Sequence, residues 1–130
     1  MTRTLMRLGD FGFSIDTAAF QKLQEVHRWR WEPVSRIGHK PIQHDLGPDA
    51  AQIRMQGVTH PYWRGGVGQL DRLKAIGDER RAVLLVDALG IIWGRFVVER
   101  LEIEHSVFAA APTAMKKAFT LVLKEQAPDG

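Results

Sequence analysis

The sequence predicts an α+β fold that is mainly antiparallel β, with six or seven strands and a single helix. Three observations carry this. Apolar residues recur at spacing two in most stretches, as on a strand with one buried face. Glycine and proline fall at short intervals as turn punctuation and form no linker, repeat or low-complexity tract. Helical periodicity occurs convincingly once, which is too little helix for a doubly wound parallel sheet.

The elements follow in order. In "TLMRLGDFGFSI", Phe11, Phe13 and Ile15 stand two apart and predict a half-buried strand. In "FQKLQEVHRWRWEP", Phe20, Leu23 and Val26 stand three apart and would allow a helix at the start, but the tryptophans favour one strand with Leu23, Glu25, His27, Trp29 and Trp31 on one face, closed by Pro33. "PIQHDLGPDAAQIRMQGVTHP" gives two strands around "GPD", the second with Ile53 and Met55 inward and Gln52, Arg54 and Gln56 outward. "RAVLLVD", the turn "ALG" and "IIWGRFVVERLEIEHSVF" predict a hairpin. The unbroken run Val83–Val86 suggests a strand covered on both faces. The next strand changes phase, with Phe96 and Val98 on one face but Leu101 and Ile103 on the other. A bulge near Glu99 and Arg100 would repair it, as would a strand passing from one sheet to another. "AMKKAFTLVLKE" places Met115, Phe119, Leu121 and Leu123 inside and Lys116, Thr120 and Lys124 outside, and "APDG" reads as a loose tail.

The one helix lies in "YWRGGVGQLDRLKAIG", where Leu70, Leu73 and Ile76 form an apolar stripe and Gly77 is placed to close the helix in a left-handed conformation. Its glycine cluster invites a nucleotide-loop reading, because amides at a helix start bind phosphate. The residues reject it. Gly68 is followed by Gln69 and Leu70, where phosphate and magnesium chemistry needs Gly-Lys-Ser/Thr. The dinucleotide spacing is missing as well, and Asp71 in the first turn would repel an anion.

Composition narrows the function further. The 130 residues suit one domain with a real core, and 45% hydrophobic with 25% charged residues is ordinary for a globular protein. The absence of cysteine excludes disulfides, thiolate nucleophiles and thiolate zinc sites. No stretch has the apolar core of a signal peptide or the length of a membrane span, so residence in the cytoplasm is expected. The net charge is +3 and the basic residues are scattered, without the stripe of a nucleic-acid binder; "HRWR" and "ERR" are its nearest approaches. The histidines make no metal-ligand pattern: His39 and His44 stand five apart across Pro41. Ser14, Ser35 and Ser106 lie in no nucleophile elbow, and Glu102 and Glu104 read as a solvated strand face. No catalytic, cofactor or metal residues are expected. Arginine outnumbers lysine and there are four tryptophans, both types favoured at protein interfaces. Arg28, Trp29, Arg30 and Trp31 are the candidate contact residues.

An ordered series of stretches resembles the phage tail protein U (GpU) family of contractile tails and related tailocin particles. It runs through "LGDFGFS", "RWRW" at Arg28–Trp31, "DLGPDAAQIRMQGV", "GGVGQLDRLKAIGD", "AVLLVDALGIIWGRFVVERLEIEHSVF" and "KKAFTLVLKE", nearly the whole chain. The resemblance implies a tail-tube-like β-sandwich or barrel with one outer helix, and a structural role with no catalytic residues. It implies a homo-oligomer, a hexameric ring, at the baseplate-proximal end of the tail tube. The implied neighbours are the tube, tape measure, hub and LysM-bearing proteins. The protein would then pass from the host cytoplasm into a virion or tailocin tail. The alternatives are a terminator ring at the opposite end of the tail and, outside assembly proteins, a small basic nucleic-acid module.

Overall fold

The computed structural model describes residues 4–14, 19–59, 69–108 and 111–127. Among them are nine strands and one helix. Seven strands form one antiparallel sheet in the order β2-β1-β7-β8-β9-β6-β3, and β4 and β5 form a separate two-stranded sheet. The main sheet comprises β1 (Thr4–Leu8), β2 (Phe11–Ser14), β3 (Ala19–Val26), β6 (Gln52–Thr59), β7 (Val83–Asp87), β8 (Ile92–Phe108) and β9 (Ala111–Glu125). The helix α1 (Gln69–Asp78) is followed by β7, and β4 (Trp29–Arg36) and β5 (His39–Pro48) lie between β3 and β6.

The sheet is curled. β2 and β6 stand five places apart in the strand order, about 24 Å if the sheet were flat. Yet Phe11 and Phe13 of β2 join Ile53 and Met55 of β6 in one buried cluster. Met6, Leu8, Leu85, Phe96, Phe119, Leu121 and Leu123 complete its sheet side, and Leu70 and Leu73 of α1 cover it. The Phe11 and Phe13 rings meet edge to face at 4.9 Å, and the Arg72 guanidinium lies 5.4 Å from the Phe11 ring centre. This arrangement fits the expected antiparallel sandwich or barrel with one helix outside.

The phase change in β8 is a bulge. Val98 pairs with Leu123 and Arg100 with Val122, so Glu99 is the extra residue. The bulge keeps Phe96, Val98, Leu101 and Ile103 all against the core, and β8 never leaves the sheet. Glu99, released from pairing, reaches Lys124 Nζ at 3.4 Å.

Four expectations are corrected. The opening stretch is two strands, because Gly9 turns the chain at φ 58 and donates its amide to Leu84 O at 2.8 Å. The run from Phe20 to Pro33 is also two strands, interrupted at His27–Arg28, with Pro33 inside β4. Proline is tolerated there because a strand of a two-stranded sheet always has one free edge. β7 is not covered on both faces, since Leu85 is buried but Leu84 is 44% exposed. That position belongs to β9, where Val122 is buried on the face opposite Leu121 and Leu123, between its partners Arg54 and Arg100. Finally, Gly77 does not cap α1. It lies inside the helix facing Val98, where an added Cβ would sit 3.4 Å from Val98 Cγ1. Arg80 takes the left-handed conformation instead, at φ 56, and donates its amide to Gly77 O. The glycine cluster ahead of the helix, Ile15, the Met115 side chain and the final three residues lie outside what is described.

Candidate assembly interface

β4 and β5 make an arm. Every β4 residue is exposed, and so is every residue of β5 except half-buried Gly47. An isolated two-stranded hairpin is marginal in water, so this one relies on local ties. At its root the Asp49 amide donates to Arg28 O at 2.9 Å. Along its length Arg30 Nη2 donates to Leu46 O, and the Gly47 amide donates to Asp45 Oδ1. At the tip Gly38, at φ 73, completes the turn after Ile37, and Arg36 clasps Lys40 O through Nε and Nη2 at 3.3 and 3.1 Å.

The arm wears apolar groups on both faces. Trp29, Trp31 and Pro33 alternate along β4 and so share one face; the two indoles are 65% and 54% exposed. On the other face Val34 pairs with Ile42, both about half exposed, and Ile37 at the tip is entirely exposed. Large apolar groups concentrated on one outlying element mark a surface meant to be covered. The whole chain exposes 9156 Å², whereas a compact monomer of this mass exposes about 6,900 Å². Part of the excess is this arm.

The four predicted contact residues all lie at the root of the arm. Arg28 sits in the break between β3 and β4, and Trp29 and Trp31 share a face from which Arg30 alternates away. His27 stacks on Trp29 with ring centres 6.5 Å apart, and its Nε2 lies 3.6 Å from Glu25 Oε1. Sequence reasoning did not find the second exposed apolar feature, the turn from β7 to β8, where Leu89, Ile91 and Ile92 are 85%, 57% and 61% exposed. Its only signal is a turn, "ALGII", with isoleucines where polar residues are usual.

That turn is held rigidly by one carboxylate. Asp87 Oδ1 accepts the amides of Leu89 and Ile91 at 2.9 and 3.0 Å, and Oδ2 accepts the Trp93 indole N–H at 3.2 Å. The Ile91 amide above all lowers the Asp87 pKa from its ordinary value of 3.8, with the Trp93, Leu89 and Gly90 donors adding to it against some desolvation. Beside the turn opens a cleft of about 250 Å³ at the root of the arm, with Ile53 and Phe96 as its floor. Ile91, Ile92, Trp93, His27, Glu25 and Glu125 line it as well.

Among the described residues no group of three or more His, Asp or Glu side chains is placed to hold a metal ion. Glu79 pairs with Arg81 at 2.8 Å and Glu102 with Arg100 at 3.1 Å, all well exposed. Such exposed pairs contribute little, about 0–1 kcal/mol each.

The curled antiparallel sheet with its one helix is similar to solved structures from phage tails and hubs. The SPP1 Dit (gp 19.1) protein, described as a hub adsorption apparatus of phages infecting Gram-positive bacteria, superposes with a TM-score of 0.61. The match covers 95% of this chain and 50% of that one at 12% identity. A chain from the tail of an empty GTA particle, computed with C6 symmetry, gives 0.57, covering 96% and 92% at 10% identity. These likenesses establish the fold. The Phage P2 GpU family model matches residues 9–127, and the chain belongs to that family. A probable tape measure protein of Halomonas phage phiHAP-1 is 31% identical over 99% of this chain, which spans only 15% of that relative's length. The chain thus belongs to a phage protein family and shares its fold with solved phage tail and hub structures.

Proposed function

We propose that the protein forms a six-fold ring at the baseplate-proximal end of a contractile phage or tailocin tail tube, next to hub and LysM-bearing proteins and the tape measure. The observation that carries this reading is the arm. A hairpin with large exposed apolar side chains on both faces, covered by no other element among the described residues, is built to lie on another subunit. Arm and receiving surface are different parts of the molecule, so the contact is head-to-tail and a rotation that closes makes a ring. The C6 symmetry of the GTA particle supports the number six. The hub described for the SPP1 relative in fold supports the baseplate end. A domain of this kind within a chain named as a tape measure protein supports contact with the tape measure. Arg28, Trp29, Arg30 and Trp31 provide the root of the contact, and covering each indole would contribute roughly 2–4 kcal/mol.

Reconstruction of an assembled particle tests the reading: six copies in one ring against the tube and hub are expected. A ring at the far end of the tail would move the protein to the terminator position. Absence from the particle would end the proposal. An arm-deleted variant sharpens the test, because the Arg28–Asp49 hydrogen bond leaves the arm's two ends side by side for a short turn to join. That variant should fold and fail to enter particles.

A further inference from the structure

The ring reading leaves open where the arm lands, and the tip and the cleft are complementary in apolar character and charge. Ile37 is fully exposed at the end of the arm, flanked by Arg36 and Lys40. The nearest acid on β4 is Glu32, four residues from Arg36. The tip is therefore an apolar knob between two cations. The Ile91–Ile92–Trp93 cleft is the converse, an apolar hollow also lined by Glu25 and Glu125. Within the cleft Glu25 Oε1 lies 3.6 Å from His27 Nε2 and Glu125 Oε1 accepts the Ala51 amide at 3.3 Å, while Lys124, next in sequence to Glu125, is engaged with Glu99. Arg36 is held by its grip on Lys40 O, and Trp93 by Asp87 Oδ2, so both surfaces are ordered before they meet.

The fit cannot be made within one chain. The cleft borders the root of the arm through Glu25 and His27, and Ile37 lies a strand length of about 25 Å further out. We infer that the arm tip of each subunit plugs the Ile91–Ile92–Trp93 cleft of the next copy, Ile37 entering the hollow and Arg36 and Lys40 meeting Glu25 and Glu125. Every copy offers one knob and one hollow in different directions, the requirement for a head-to-tail ring. This inference rests on the ring reading and assigns its contact.

The chain contains no cysteine, so an engineered pair is the only one that can cross-link. The double variant Ile37→Cys/Ile92→Cys, both at exposed positions, is oxidised as concentrated free protein and in assembled particles. A ladder of disulfide-linked multimers is expected, with peptides joining positions 37 and 92, and neither single variant should give more than a dimer. Charge reversal supplies a second readout. Arg36→Glu/Lys40→Glu should weaken multimer formation by about tenfold or more, and adding Glu25→Lys should recover much of it. A particle with a six-fold ring but no 37–92 peptide would overturn the assigned contact and leave the ring standing. A particle without the ring, together with no ladder, would remove both.

Discussion

The curled sheet and the arm are built from the same alternating pattern, yet they sit at opposite extremes of burial. Phe119, Leu121 and Leu123 of β9 are at most 2% exposed, while Trp29 and Trp31 of β4 are more than half exposed. β9 has a neighbour on each edge and a helix-covered core beneath it; β4 has one neighbour and, among the described residues, all its side chains exposed, with only His27 stacked on Trp29. Burial of the sheet stabilises the subunit, whereas the arm holds apolar surface that the subunit alone leaves uncovered. The lesson concerns where a side chain's free energy is realised. An aromatic residue of the sheet contributes to folding, and on the proposed reading an aromatic residue of the arm contributes to assembly instead.

The sharpest way to break that division is to truncate both sides. Phe119→Ala should cost about 3–5 kcal/mol in denaturant melts, as core aromatics do. Leu73→Ala should cost about 2–5 kcal/mol, because Leu73 is the fully buried residue of the helix. Lys74→Ala on its exposed side should stay within about 0.5; equal effects would mean that the helix does not seal the core. Gly77→Ala tests the helix contact with a gain. The position is helical and a methyl group would meet Val98 at an ordinary distance, so stability should rise by about 0.5–1 kcal/mol. Gly77→Leu has no such room and should lose stability.

Trp31→Ala is the converse experiment. Folding stability should change by no more than about 0.5 kcal/mol, while incorporation into particles falls sharply. A large loss of folding stability would place the indole in the subunit core and erase the comparison. The smallest expected effect is local to the β7–β8 turn. The Asp87 pKa is lowered in the folded chain, so its contribution is complete above the ordinary value of 3.8 and is lost as pH falls through the lower folded value. Hydrogen-exchange protection of the Leu89 and Ile91 amides should hold to about pH 4 and then decline. In Asp87→Asn it should be weakened across the range.

Particular residues show what could be read in advance. The change of phase between Val98 and Leu101 was legible, and of its two remedies, a bulge or a strand passing between sheets, the structure chose the bulge at Glu99. The inward set Ile53, Met55, Phe119, Leu121 and Leu123 was legible from period two, and the helix stripe from period three. The division at His27–Arg28 was not. Leu23, Glu25, His27, Trp29 and Trp31 keep alternating straight through the break, and tryptophan in a strand looks like core. The knob at Ile37 and the hollow at Ile91–Ile92 were equally hidden, since an apolar residue in a turn carries no mark of what it faces.

The sequence by itself determined the mainly antiparallel class, the phase change in β8, the helix and the absence of cysteine, because these depend on backbone periodicity and residue chemistry that act over a few positions. It also carried the ordered motifs of the GpU family. Only the tertiary structure decided that β3 and β4 belong to different sheets, that Val122 and not the β7 run is covered on both faces, and that Gly77 faces Val98. Periodicity fixes which residues share a face, but not which strand lies alongside or whether anything covers that face. Those outcomes depend on pairings between residues far apart in the chain, such as Arg54 with Val122, and are settled only when the sheet closes over its core.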